Sequence, residues 1–284
     1  MNIKIEENKI LIQNCSEFDI EQTLECGQIF SFKKTKSNTY VVISDNKFAT
    51  IEYDNSKTII KTKDVDYFYN FFDIKTDYNK IKKDILKNHP ETEKFLKFGN
   101  GIRILKQNPY QTIISFIVSA NNNIKRIKNI LFKISNLFGT KFNNIDFYTF
   151  PTIKQLSKAT KEDFDKIGAG YRSEYLVKSI NLLQTEEYSI ENLNCLSTLE
   201  LKQKLLKLMG VGPKVADCIL LFGFARTDVF PVDTWVRKSY YLFEDKKTSD
   251  ENISKYFVNK FKNLSGYAQQ YIYNYMLNCN SEQN

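Results

Sequence analysis

The chain has 284 residues, 42% of them hydrophobic, with 41 Lys and Arg against 33 Asp and Glu and a formal net charge of +8. That length supports one large or two modest domains with real cores, and no run reaches the roughly 18 apolar residues that a membrane span needs. The single histidine, His89, excludes a multi-histidine metal site and leaves a Ser-His-Asp triad dependent on one His-Pro dipeptide, while the basic balance suits a polyanionic partner.

In chain order, Ile3-Lys4-Ile5, Ile10-Leu11-Ile12, Ile29-Phe30-Ser31-Phe32, Tyr40-Val41-Val42-Ile43 and Phe48-Ala49-Thr50-Ile51 are short apolar or alternating stretches separated by Asn, Asp, Ser and Lys. This pattern predicts a small antiparallel sheet built from hairpins. From about Asp64 to Lys87 the period becomes helical, with lysines between aromatic and aliphatic residues. His89-Pro90 then predicts the start of a further helix. The expected fold class is α+β: a small N-terminal antiparallel β-sheet domain over 1–85, followed by a mostly α-helical region over 86–284.

Within the helical region, Asn108 caps an almost wholly apolar run from Pro109 to Ser119, which predicts a buried central helix. It ends in Ala120-Asn121-Asn122-Asn123, which as a plain sequence reads as a polar loop. Ile127, Ile130, Leu131, Ile134, Leu137 and Phe138 predict an amphipathic helix closed by Gly139. Phe164 to Tyr175 contains a Gly168-Ala169-Gly170 turn between helices, followed by Tyr171-Arg172. A last helix runs from about Leu264 to Leu277, with Gln269 and Tyr273 four residues apart and so on one face.

The most informative stretch is Leu205 to Leu221. It reads as an apolar helix end, a tight Gly210-Val211-Gly212 turn, and a second apolar helix that opens with Pro213-Lys214, a helix-hairpin-helix at about 200–222. Both glycines are expected to supply positive φ or a close backbone approach, and Pro213 suits the first helical position. Outward N–H groups at such a helix start make a phosphate site. An ammonium there opposes the helix dipole by roughly 0.3–1 kcal/mol, which favours the neutral, nucleophilic form of Lys214. Cys218, four residues on, shares its face. Downstream, Pro231-Val232-Asp233 places a carboxylate at an N-cap position. By residue type alone the hairpin serves equally as a DNA-backbone clip or an ordinary helix turn; it is not a P-loop, because Val215 stands where the hydroxyl belongs.

Gly-Val-Gly-Pro-Lys, Val-Ala-Asp-Cys and Pro-Val-Asp together resemble the helix-hairpin-helix motif with Gly-Pro/Asp loop of the DNA base-excision glycosylases, and Lys214 with Cys218 resembles its 8-oxoguanine DNA glycosylase/AP lyase branch. The resemblance implies that Lys214 and Asp233 are catalytic. It implies that Gly27, Cys218, Gln269 and Tyr273 bind the damaged base, with the carbonyl of Gly27 accepting N7–H of 8-oxoguanine where guanine has a bare acceptor. It implies that Asn121, Arg126, Tyr171 and Arg172 fill the gap and read the orphaned cytosine, and that Gly210 and Gly212 meet the backbone. Two departures stand out: tyrosine at 273 where phenylalanine is commoner, and Trp235 where animal and fungal members carry histidine. Some relatives add a four-cysteine iron–sulfur loop after the aspartate, but here only Cys279 follows Asp233.

The expected activity is therefore flipping and excision of 8-oxoguanine, preferably opposite cytosine, by lysine Schiff-base chemistry, with β-elimination at the abasic site and no metal or cofactor. The expected partner is double-stranded DNA containing oxidised guanine, met by a monomer without a membrane. Cys15, Cys26, Cys195, Cys218 and Cys279 form no C-x-x-C pair, and Met1-Asn2-Ile3-Lys4 opens no secretory segment, so free thiols and an intracellular protein, cytoplasmic or nucleoid-associated, are expected. A non-catalytic helix-hairpin-helix DNA-binding protein and, more distantly, a protein-interaction scaffold stay open at this point. One tension also stands: a Cys218 thiolate would hold Lys214 as its ammonium.

Overall fold

The computed structural model describes residues 2–13, 16–143 and 145–279, so Cys15 lies outside the described residues. Strands β1 (Asn2–Glu6) and β2 (Lys9–Gln13) precede helix α1 (Ile20–Glu25). Then come β3 (Phe32–Lys36), β4 (Thr39–Ser44), β5 (Lys47–Tyr53) and β6 (Lys57–Lys61). They form one antiparallel sheet in the order β1-β2-β6-β5-β4-β3. Alternation decides which face is buried: Ile10 and Ile12, Tyr40 and Val42, Ala49 and Ile51 all point inward. There they meet Phe68, Phe71 and Phe72 of helix α2 (Val65–Phe71) and its end.

Helices α3 (Tyr78–Asn88) and α4 (Glu93–Phe98) follow, with a 3-10 turn from Pro90 between them. The central helix α5 (Pro109–Ser119) is buried from Gln111 to Val118, and Asn108 caps it by accepting the N–H of Gln111. Around it pack α6 (Ile124–Phe138), α7 (Ile153–Leu156), α8 (Lys161–Lys166), α9 (Arg172–Leu183), α10 (Ile190–Cys195), α11 (Thr198–Leu205) and α12 (Pro213–Phe224). A third core is closed by α3, α4, α13 (Thr234–Tyr240), α14 (Asp250–Phe261) and α15 (Ser265–Cys279).

The three cores meet on residues 102–107, which run through the interior as neither helix nor strand: Ile102 belongs to the third core, Ile104 to the second and Leu105 to the first. A buried segment without a ladder must have each polar group satisfied individually. Arg103 N–H donates to Thr23 Oγ1 (3.2 Å), Ile104 N–H to the Tyr78 hydroxyl (2.8 Å) and Leu105 N–H to Gln28 Oε1 (2.8 Å). Lys106 N–H donates to the Phe71 carbonyl and Gln107 N–H to that of Phe222, both at 2.9 Å. Gln28 completes its own set by donating to the carbonyls of Thr23 and Arg103, each at 2.8 Å. The Arg103 side chain, 0% exposed, donates to the carbonyls of Glu17, Phe72, Asp73 and Thr76, with Tyr78's ring 4.1 Å away.

Two expectations are corrected here, and two elements were not predicted. Residues 29–31 are not strand: after Gly27 (φ +77°) the chain turns inward, and Phe30 packs edge-on against Phe116 at 5.7 Å as a plug between cores. β6 and α1 lie outside the predicted elements, because Lys57-Thr58-Ile59-Ile60-Lys61 is a short edge-poor signal and α1 has only six residues. Leu137 is 52% exposed in the last turn of α6 and does not join its apolar stripe. Gly139 caps α6 as expected, with extended backbone, and is required because a Cβ would stand 2.1 Å from the Thr149 carbonyl oxygen.

Gln28→Leu strands the Leu105 N–H and the Arg103 carbonyl and leaves the Thr23 carbonyl only the weak Cys26 thiol as donor. The variant is expected to lose roughly 2–4 kcal/mol, read as a lower urea midpoint with unchanged slope; a loss under about 0.5 kcal/mol would contradict the assigned role of this amide.

Candidate active site

Lys214 stands at the second position of α12, after Gly212 as N-cap and Pro213. Gly210 has φ +87°, and a Cβ there would lie 2.6 Å from the ring of Tyr175, so it is required on both grounds. Gly212 differs from expectation: its backbone is extended (φ −89°) and an added Cβ would meet nothing within 4 Å. Its small size serves nothing inside the protein. Asp233 caps α13, accepting the N–H of Val236 at 2.9 Å through one carboxylate oxygen.

One pocket brings the separated residues together: Gly27, Lys214, Cys218, Asp233, Gln269 and Tyr273 all line it, with Cys26, Phe116, Phe222, Pro231 and Gln270. The second core supplies the helix that carries Lys214, the third supplies α15, and the turn after α1 closes the pocket. Lys214 Nζ lies 5.7 Å from the Phe116 ring centre. Gln269 lines the pocket, is buried and donates to the Pro231 carbonyl at 3.3 Å, while its buried Oε1 has no hydrogen-bond partner. Tyr273 keeps its hydroxyl near Gly27, where a Cβ would come within 3.1 Å of it. Burial, then the charge of Asp233, pushes its phenol upward.

Burial also pushes the Cys218 thiol up to about 11, against the pull of the Lys214 ammonium. Cys218 is thus a neutral thiol at pH 7, and the thiolate–ammonium tension of the sequence reading does not arise. Asp217, three residues after Lys214, turns away from this pocket and pairs with Lys202 at 2.7 Å; burial raises its carboxyl against that partner.

A second cluster gathers Asn121, Arg126, Tyr171 and Arg172. The three asparagines divide the backbone work: Asn121 takes φ +48°, Asn122 donates back to the Val118 carbonyl at 3.0 Å, and Asn123 caps α6. Tyr171 is 53% exposed, with its hydroxyl on the Ala120 carbonyl at 3.1 Å and its ring 5.4 Å from that of Tyr175, which packs on Gly210. Arg126 is exposed and donates to the Gly168 carbonyl at 3.0 Å. Arg172 departs from expectation: it is 2% exposed, its fork donates to the carbonyls of Ala120 and Asn121 (2.6 and 2.7 Å), and the guanidinium lies 4.3 Å from the Tyr171 ring. In the free protein it holds the 120–121 turn and presents no donor outward. Trp235 is half-buried under the Lys238 ammonium, 4.6 Å from its ring.

Sequence reasoning missed Phe116, Phe222, Cys26, Pro231 and Gln270 as pocket walls. All but Gln270 read as core or turn residues, and Gln270 adjoins a glutamine that had already taken the assigned role.

A helix-hairpin-helix fold with a lysine and a carboxylate at one closed pocket defines a class of DNA-acting proteins. A family model described as "8-oxoguanine DNA glycosylase, N-terminal domain" matches residues 10–113, and one described as "HhH-GPD superfamily base excision DNA repair protein" matches residues 114–263. The chain belongs to the 8-oxoguanine DNA glycosylase family of the HhH-GPD superfamily. It is 33% identical over 219 residues to an N-glycosylase/DNA lyase of Arabidopsis thaliana, covering 72% of this chain and 60% of that protein's length. It is 30% identical over 235 residues to a probable N-glycosylase/DNA lyase of Methanothermobacter thermautotrophicus, covering 74% and 73%. The structure of the Clostridium acetobutylicum 8-oxoguanine glycosylase/lyase, in complex with double-stranded DNA containing cytosine opposite 8-oxoguanine, superimposes with a TM-score of 0.91 at 34% identity, over 99% of both chains. Among the described residues no helix is long and apolar enough to cross a membrane.

At pH 8 the exposed Cys195 is expected to alkylate rapidly with iodoacetamide, whereas Cys26 and Cys218, raised to about 12 and about 11, react only after denaturation. Because only the thiolate reacts, any native labelling at Cys218 should rise with pH up to about 11; fast labelling at pH 7 would show a thiolate after all.

Proposed function

We propose that this protein is a bifunctional DNA repair enzyme that flips out and excises 8-oxoguanine, preferably opposite cytosine, and then nicks the abasic strand by β-elimination. The observation that carries the reading is the pocket in which Lys214, Asp233, Gly27, Cys218, Gln269 and Tyr273 converge from three distant stretches of chain. A base inside a duplex is out of reach, so it must be extruded at a cost of a few kcal/mol. Gln269 Oε1 offers an acceptor to its Watson–Crick edge and Tyr273 a ring to its plane. Gly27 offers a carbonyl to N7–H, with Cys218 beside them.

Neutral Lys214 then bonds to C1′ as the bond to the base breaks and its electron pair leaves with the purine. Loss of a further proton from nitrogen and opening of the sugar give the Schiff base, and removal of a C2′ proton expels the 3′ phosphate. Asp233, held on the N-terminus of α13, stabilises the positive charge that develops on the sugar and orients or deprotonates the lysine. Gly210 and Gly212 let a phosphate approach the hairpin, and the open space beside Gly212 supports that role. Tyr171, Asn121 and Arg126 occupy the gap and contact the orphaned cytosine. Arg172 joins them by exchanging the carbonyls of Ala120 and Asn121 for the base.

The same proposal assigns residues 1–85 to a scaffold unit and 86–284 to the unit that carries the chemistry, with Gly27 as the scaffold's contribution. It describes a monomer acting on DNA within the cell, in cytoplasm or nucleoid. A non-catalytic phosphate clip is disfavoured, because a clip has no use for an unpartnered buried acceptor and a carboxylate in one pocket with the lysine.

Borohydride reduction on a duplex carrying 8-oxoguanine opposite cytosine is expected to trap a covalent adduct that vanishes in Lys214→Gln while binding persists. Binding without adduct or released base in the unaltered protein would sink the reading. Asp233→Asn should bind normally yet excise about a hundredfold or more slowly under single-turnover conditions; an unchanged rate removes the carboxylate from the mechanism.

A further inference from the structure

The Gly27 carbonyl lies between two carbonyls that are each held by a glutamine from a different core. On one side, Gln270 of α15 donates through Nε2 to the Cys26 carbonyl at 3.2 Å. On the other, Gln107 donates through Nε2 to the Gln28 carbonyl at 2.7 Å. Among the described residues no protein group donates to the carbonyl of Gly27 itself. Gln107 has a second attachment: its backbone N–H donates to the Phe222 carbonyl at 2.9 Å, in the last turns of the helix that begins with Pro213-Lys214. The turn is thus tied on one side to the nucleophile's helix and on the other to the helix bearing Gln269 and Tyr273.

We infer that Gln107 and Gln270 are positioning residues for base selection, which aim the free Gly27 carbonyl into the pocket by clamping the carbonyls on either side of it. Gln107 stands outside the pocket's lining, whereas Gln270 is one of its walls and acts on the Gly27 carbonyl through that of Cys26. This deepens, and rests on, the reading that the pocket takes an oxidised purine. The physical reason is directional. A carbonyl distinguishes a donor from an acceptor only while its lone pairs lie near the line to that atom, and hydrogen bonds weaken steeply as the angle falls. A glycine at φ +77° has no side chain to fix its peptide planes, so the neighbouring peptides must be held. The clamp does this from two bodies that also place the lysine and the stacking ring, so the carbonyl, Nζ and ring keep one relative geometry.

The test separates selection from chemistry, because a preformed abasic site offers no base to select yet still needs Lys214 and the bound duplex. Single-turnover excision of 8-oxoguanine opposite cytosine is measured beside nicking of an abasic site in the same sequence, for the full chain, Gln107→Met and Gln270→Met. Methionine keeps length and removes the donor. In each variant, excision is expected to fall about tenfold to a hundredfold relative to abasic nicking. A merely structural role lowers both activities together, and an unchanged ratio in both variants overturns the inference. Should Gln107→Met fail to fold, judged by thermal melting, Gln270→Met carries the same decision from the opposite side of the turn. An unaltered protein that nicks abasic sites but leaves 8-oxoguanine in place overturns the substrate reading instead.

Discussion

The structure depends on satisfying the backbone of one buried, irregular segment, residues 102–107. Regular elements pair their own N–H and C=O groups; this segment has no ladder, and stranding even one such group costs about 1–3 kcal/mol. Its partners come from every body of the molecule: Thr23 from α1, Gln28 from the turn before β3, Tyr78 from α3, the Phe71 carbonyl from α2 and that of Phe222 from α12. Three apolar cores are thereby locked to one another at a single strip of polar bonds. Hydrophobic contact alone is non-directional and would let them slide.

That rigidity has a functional consequence. The pocket is a seam between cores, with Lys214 on one helix, Gln269 and Tyr273 on another, and the Gly27 turn on the connection between α1 and β3. A site assembled at a seam is only as well placed as the bodies that form it, and misplacement by about an ångström can cost a hundredfold in rate. The second cluster is anchored differently. Tyr171, Arg172 and Arg126 tie the 120–121 and 168–170 turns together through backbone carbonyls. Exposed Tyr171 touches Tyr175, which lies against Gly210, so the second cluster and the hairpin share one contact chain.

Departures from the sequence reading share a physical cause. Arg172 reads as an outward donor, but burial beside two orphan carbonyls is the cheaper arrangement for a free guanidinium with five donors. Cys218 reads as half of an ion pair, yet full burial costs the thiolate more than Lys214 returns. Each depends on what a distant part of the chain places nearby.

Local chemistry in the sequence determined a good deal by itself. Alternation marked four of the sheet's six strands, β1, β2, β4 and β5, period and caps marked α5, α6 and the hairpin, and the spacing of Gly210, Gly212, Lys214 and Cys218 on one turn and one helical face follows from helix geometry alone. Asp233 as an N-cap was legible for the same reason. The meeting of Lys214 with Gly27 and Tyr273, the walls supplied by Phe116 and Gln270, the burial of Arg103 and the two-sided hold on the Gly27 turn were decided only by the tertiary structure. Those relations join residues tens to hundreds of positions apart, and they are set by how three cores pack around one irregular buried segment, which no periodicity or local propensity encodes.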